Sequence, residues 1–161
     1  MNLLLEGFGR ALVRQALPVM EERALALGVS SFLDLGPFPL PRRTLPVLTE
    51  QHTQLPPRDS LCAVTCFCLT LSSPEVCGER LRQASRRAAY TLLFDFKEPE
   101  RNLEYPAALL AAPFRRAMEK NSQRQGGLEA LLHDEGLRPL SRHTLLAGAL
   151  CLMLLKNGEP S

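Results

Sequence analysis

Two kinds of apolar patterning divide the chain. Over residues 10–27, Leu12, Val13, Ala16, Leu17, Met20, Ala24 and Leu27 fall near one stripe, the spacing of an amphipathic helix. Pro18 lies inside that stripe and predicts a kink or two shorter helices, and Gly28 is a natural stop. Elsewhere the apolar residues run together. Residues 61–71 are almost wholly apolar between Pro56-Pro57 and Ser72-Ser73-Pro74, as expected of a strand covered on both faces. Shorter runs at 2–5, 29–35, 45–49 and 89–96 predict further strands, the first of them ending in the glycine turn Glu6-Gly7-Phe8-Gly9. Residues 36–46 hold Pro37, Pro39, Pro41 and Pro46, lack the amide donors a helix needs, and read as a loop.

Ser73 and Pro74 supply a cap and a first position for a helix to about residue 87. Two more helices are predicted over 105–120 and 128–135, the second bounded by Gly126-Gly127 and Gly136. Residues 137–142 and 145–155 then read as two paired strands, with Gly148 a bulge or a point of close backbone approach. Strands alternating with helices predict an α/β fold with a mostly parallel sheet, and the closing hairpin predicts an antiparallel edge. The length suits one domain, taken as 1–157 with a disordered tail at 158–161.

Composition narrows the picture without naming a function. Apolar residues make up 45% of the chain, enough for a real core. The 19 basic and 17 acidic residues nearly balance, and the pairs Arg42-Arg43, Arg86-Arg87 and Arg115-Arg116 read as solvated surface. A nucleic-acid partner is therefore not expected. No run is long enough to span a bilayer and no signal peptide is visible, so cytoplasm is the expected address. The five cysteines, three of them at 62, 66 and 68, lack paired zinc-site spacing. They are expected to be small apolar core residues, with no metal bound.

Several segments resemble a known family. Leu55-Pro56-Pro57-Arg58-Asp59-Ser60-Leu61-Cys62-Ala63-Val64 is similar to the approach to the fourth strand of class I S-adenosylmethionine-dependent methyltransferases. Residues 90–96 with Lys97-Glu98-Pro99-Glu100-Arg101-Asn102-Leu103 resemble the fifth strand and the segment after it. Gly126-Gly127-Leu128-Glu129-Ala130-Leu131-Leu132 resembles the last helix, and Leu146-Ala147-Gly148-Ala149-Leu150 through Lys156 the closing strand. The resemblance covers roughly 45–157 and is to the branch that methylates small molecules, quinone-type acceptors among them. It implies a Rossmann-like methyltransferase sheet, shortened in its N-terminal half. It also implies S-adenosylmethionine as cofactor, a small-molecule methyl acceptor and a bacterial source, and it allows a homodimer.

Site residues follow from that resemblance. The glycine-rich turn after strand one would be Glu6, Gly7 and Gly9, with Ala11 replacing a third glycine. Asp34 would be the acid ending strand two and holding the ribose hydroxyls, since a carboxylate can accept two hydrogen bonds from a diol. Gln51 or His52 would stand near the adenine, and Cys66 completes the cofactor set. Asp95 is the candidate base, and Arg101, Asn102 and Glu104 are candidates for the acceptor. Each has a plainer reading: a turn before a surface helix for the glycines, an exposed turn carboxylate for Asp34, a charged loop for 101–104.

A rival alignment makes Phe32-Leu33-Asp34-Leu35-Gly36 the first strand and its motif. The preceding helix becomes an extension, prolines replace the glycine turn, and a helix, a strand and another helix are missing before Leu61. The first alignment is preferred because only the helix after strand two is then shortened. Beside the methyltransferase reading stands another, a catalytically inactive relative acting as a binding or assembly partner. A truncated product with an incomplete cofactor site is a third.

Overall fold

The structure is a computed structural model and describes residues 3–41, 45–96, 127–145 and 150–158. A long helix α1 (Leu3–Ala26) comes first, then β1 (Ser31–Asp34) and the two-residue β2 (Val47–Leu48). A single 3-10 turn, Arg58–Ser60, leads into β3 (Leu61–Cys66), followed by the short α2 (Cys68–Leu71), α3 (Pro74–Arg87) and β4 (Tyr90–Phe96). After them come α4 (Gly127–Asp134), β5 (Arg138–Leu145) and β6 (Leu150–Lys156). The six strands form one sheet in the order β2-β1-β3-β4-β6-β5. The first four are parallel neighbours, and β6 runs antiparallel between β4 and β5. This is the shortened, mostly parallel Rossmann-like methyltransferase sheet expected, with its antiparallel closing hairpin.

Period-two alternation explains how the sheet is covered. Leu92 and Phe94 on β4, with Leu150, Leu152 and Leu154 on β6, pack against the α1 stripe of Leu12, Val13, Ala16, Leu17, Met20 and Ala24. Leu93, Cys151, Met153 and Leu155 point the other way, toward Cys77 and Leu81 of α3 and Leu131 and Leu132 of α4. Strands buried on both faces can therefore be apolar without interruption, as β6 is. β5 is an edge, alternates exposed and half-buried positions, and tolerates Pro139 beside a register shift.

Ser73 caps α3 as its sequence predicts, its Oγ accepting from the Val76 amide at 3.3 Å, with Pro74 just inside. Gly28 (φ +80°) ends the turn after α1, and Gly136 (φ +66°) the turn after α4; both adopt the left-handed backbone that glycine tolerates. Buried Asn157 ties β6 to α3 and β4, donating from Nδ2 to the Ala88 carbonyl at 2.8 Å.

Three expectations are corrected. The strand and glycine turn at the N-terminus do not form: residues 3–9, Gly7 and Gly9 included, are the first turns of α1, which also passes through Pro18 unbroken. The apolar stripe extends back through Gly9, which is buried. Second, the strand predicted over 61–71 stops at Cys66. Phe67 turns the chain with φ 57° and ψ 29°, and α2 follows. A bulky residue at positive φ costs on the order of 1–3 kcal/mol. It is held by its amide bond to the Phe94 carbonyl (2.8 Å) and by its ring, wedged between Phe38 and Phe94 at centroid distances of 5.6 and 5.3 Å. Third, β1 lies inside the sheet, second from its edge and flanked by β2 and β3, so the rival alignment describes the topology. The segment Phe32 to Gly36 is the first strand of the sheet and its turn, and α1 precedes it. The helix expected at 105–120 lies outside the described residues.

Candidate functional site at the tips of the first strands

In an open parallel sheet, ligands bind beyond the C-terminal ends of the strands, where the chain leaves a central strand in opposite directions. Here that place lies around β1, which has β2 on one side and β3 on the other. A cleft of about 300 Å³ opens there, lined by Asp34, Leu35, Gly36, Thr49, Glu50, Gln51 and Arg80. Its size is at the lower end of the roughly 300–1,000 Å³ usual for small-molecule sites.

The floor is set by β1 and its turn. The Leu35 amide continues the ladder to the Val64 carbonyl (3.0 Å). Gly36 then presses against the end of β3, where an added Cβ would lie 2.5 Å from the Cys66 nitrogen and 3.0 Å from the Thr65 Cα. Only glycine fits there. Beside it the Thr65 hydroxyl is fully buried and has no hydrogen-bond partner among the described residues.

Asp34 organises the proline loop that stands where a glycine turn is usual. Its Oδ1 accepts from the Gly36 amide (3.3 Å) and its Oδ2 from the Leu40 amide (2.9 Å). Burial pushes its carboxyl above the ordinary range, and those two amides and the nearby Arg80 charge pull it partly back. The loop is anchored from inside by Phe38, wholly buried against Phe67 and α1.

The opposite wall is the turn after β2. The Thr49 amide donates to His52 Nδ1 (2.9 Å), and the His52 amide to the Thr49 carbonyl (3.1 Å). That turn projects Glu50, whose Oε1 meets Arg80 Nη1 of α3 at 2.6 Å. The lining carries two acids and one base.

The expected site residues separate on this geometry. Asp34 and Gln51 line the cleft. His52 shapes the turn beside it without lining it. Glu6, Gly7 and Gly9 sit in α1 and do not line it; Gly9 instead makes room for Phe38, whose Cζ would be 2.7 Å from a Cβ there. The Cys66 side chain is buried, and burial first, with the charges of Asp34 and Asp95 adding, holds its thiol well above the ordinary range. It is a protonated packing group. Asp95 is wholly enclosed near the end of β4 and does not line the cleft. Arg101, Asn102 and Glu104 lie outside the described residues. All five cysteines are buried, and none is in a disulfide. No described helix is long and apolar enough to cross a membrane.

Sequence reasoning missed Glu50 and Arg80 as site residues and gave Gly36 only to the rival alignment. The signal for Glu50 was present: Val-Leu-Thr-Glu is a short strand ending in an acid. Counting residues 2–5 as the first strand shifted the strands at 29–35 and 45–49 by one place and gave Glu50's position to Asp34.

Comparison with solved structures fits this geometry at the level of the fold. LepI in complex with SAM aligns with a TM-score of 0.52 and 15% identity over 94% of this chain. A cysteine-to-alanine variant of LepI in complex with SAH and a substrate analogue aligns with a TM-score of 0.52 and 16% identity, again over 94%. The chain spans about two-fifths of the length of LepI, 41% in both comparisons. No protein-family model matches the chain, and neither does any curated protein.

Proposed function

We propose that the chain binds S-adenosylmethionine in the cleft at the tips of β1 and β2 and transfers its methyl group to a small molecule. The observation that carries this reading is the placement of Glu50. It is the acid just past the second strand of a methyltransferase-type sheet, facing a cleft of nucleoside size. A carboxylate there can accept both hydroxyls of a ribose. The LepI structures hold SAM and SAH in a fold of the same kind, which supports the cofactor class. The sulfonium supplies the reactivity, while the protein binds, aligns and excludes water. No acid–base step is therefore assigned to Asp95.

One observation favours the second reading, binding without turnover. The loop after β1 is built from prolines and plugged by Phe38, and its acid is committed to its own amides. Calorimetric titration with SAM and with S-adenosylhomocysteine, followed by transfer of a labelled methyl group to a panel of phenols and quinols, separates the two. Saturable binding that Glu50→Ala weakens about tenfold or more, together with transfer, supports the enzyme. Binding without transfer to any acceptor supports the inactive relative. A folded protein that binds neither ligand overturns the enzyme reading and leaves the inactive relative as a binding or assembly partner.

A further inference from the structure

The cleft contains a contact that a ligand must meet before it meets the acid. Arg80 reaches from α3 to the turn after β2 and sets Nη1 2.6 Å from Glu50 Oε1. Both residues line the cleft. Asp34 is not available to a ligand in the same way, because each of its oxygens holds a loop amide. Glu50 is thus the carboxylate left to receive hydroxyl groups, and a guanidinium already stands against one of its oxygens. A vicinal diol satisfies a carboxylate best with one hydroxyl on each oxygen. One hydroxyl of such a diol and the Arg80 guanidinium then compete for Oε1 of Glu50.

We propose that Arg80 sets the ligand specificity of this cleft: it must leave Glu50 before an uncharged cis-diol can bind, so the site disfavours neutral nucleosides and favours nucleosides carrying an anionic group that the displaced guanidinium can meet. The inference rests on the nucleoside reading of the cleft. The Arg80 and Glu50 side chains are 35% and 41% exposed. Water and salt reach such a pair, so opening it costs a neutral diol only about two- to fivefold in affinity. For an anionic ligand the balance differs. With Arg80 present the two acids of the lining are half neutralised, and a guanidinium offers several donors to a phosphate or carboxylate. Without it, the ligand's anion faces two uncompensated carboxylates.

The test is calorimetric titration of the full chain with adenosine and with adenosine 5′-monophosphate, two probes that differ only by the anion. In Arg80→Gln we expect adenosine to bind about two- to fivefold tighter and the monophosphate to bind weaker, so that their affinity ratio shifts about tenfold. Arg80→Lys keeps the charge at Glu50 and should leave the ratio within about threefold of wild type. Added salt should tighten adenosine in the wild type by screening the pair and have no such effect in Arg80→Gln. Circular dichroism checks that each variant is folded. Adenosine binding no tighter in Arg80→Gln, or an unchanged ratio, overturns the role of Arg80 and leaves the nucleoside site standing. Failure of the folded wild type to bind adenosine, the monophosphate or S-adenosylhomocysteine overturns both.

Discussion

The two halves of the sheet are held together by different means. β3, β4, β6 and β5 have six to eight residues each and pair along nearly their whole length. The side chains of β3, β4 and β6 interlock with helices on both faces, and β5 closes the edge beside β6. β1 and β2 have four residues and two, and share only two register pairs. That end is shaped by a set of single contacts: two amides on Asp34, the glycine at position 36, the Phe38 ring, the Thr49–His52 turn, and one ion pair. The long-stranded half derives its stability from area, and the short half its geometry from particular atoms. The cleft lies in the second.

The comparison breaks most visibly in the core. Phe94 is wholly buried, pairs with Cys66 and Leu152 in the sheet and touches the strained Phe67 ring. Phe94→Ala should cost about 3–5 kcal/mol in urea unfolding followed by circular dichroism. A cost under about 1 kcal/mol would mean that this half is not the stability-determining one.

The two glycines of α1 sharpen the contrast, because a helix and a glycine turn make opposite demands on them. At Gly9 a Cβ would come within 2.7 Å and 2.8 Å of the buried Phe38 ring. Gly9→Val should therefore destabilise by about 1–3 kcal/mol, loosen the proline loop and weaken ligand binding with it. At Gly7 nothing lies within 4 Å. Gly7→Ala should stabilise by about 0.5–1 kcal/mol, since alanine loses less backbone freedom in a helix. Melting curves for both variants check this. Destabilisation by Gly7→Ala would bring back a special backbone conformation at that residue.

These positions also show how far the chain could be read from its residues. The Ser73-Pro74 helix start, the strand to Phe96 and the Gly136 stop were legible because local sequence and structure agree there. The closing pair of strands was legible as a pair, but β5 runs on to Leu145 and β6 begins at Leu150, later than the expected second strand from 145, and Gly148 lies outside the described residues. The apolar run from 61 to 71 did not reveal its break at Phe67. A strand buried on both faces and a buried turn look alike in apolarity, and Phe67 reaches positive φ only because Phe38 and Phe94 hold its ring. The glycine pair at 7 and 9 misled for a similar reason. GxG fits a phosphate-type turn or a helix packed closely on a ring, and Phe38, which decides the matter, is about thirty residues away. The pairing of Glu50 with Arg80 spans the same separation, 30 residues, and leaves no local mark in the sequence.

Cysteine reactivity tests the enclosed half by a smaller effect. All five thiols are buried, and burial lifts Cys62 to about 12. Disulfide exchange with a chromogenic reagent at neutral pH should be slow for the folded chain and rapid after denaturation. Cys68, lowered chiefly by its hydrogen bond with the Cys77 thiol, should be the first to react. Immediate labelling of Cys62 would place the β3 core open to solvent.

The smallest effect concerns Asp34, where the two modes of stabilisation meet in one group. Burial raises its carboxyl above the ordinary 3.8, and the Leu40 and Gly36 amides and Arg80 oppose the rise without cancelling it. Between 3.8 and the raised value the folded chain binds more protons at this site than the unfolded chain does. The contribution of Asp34 to stability is then fully present below 3.8 and is lost as pH rises through the folded value. Asp34→Asn cannot ionise, so the stability of wild type relative to this variant should decline as pH rises across that window. Urea unfolding at closely spaced pH values measures the difference. The opposite slope would mean that the two loop amides outweigh burial. Asp34 would then be an anchor whose ionised form the fold favours, as its two loop amides alone would make it.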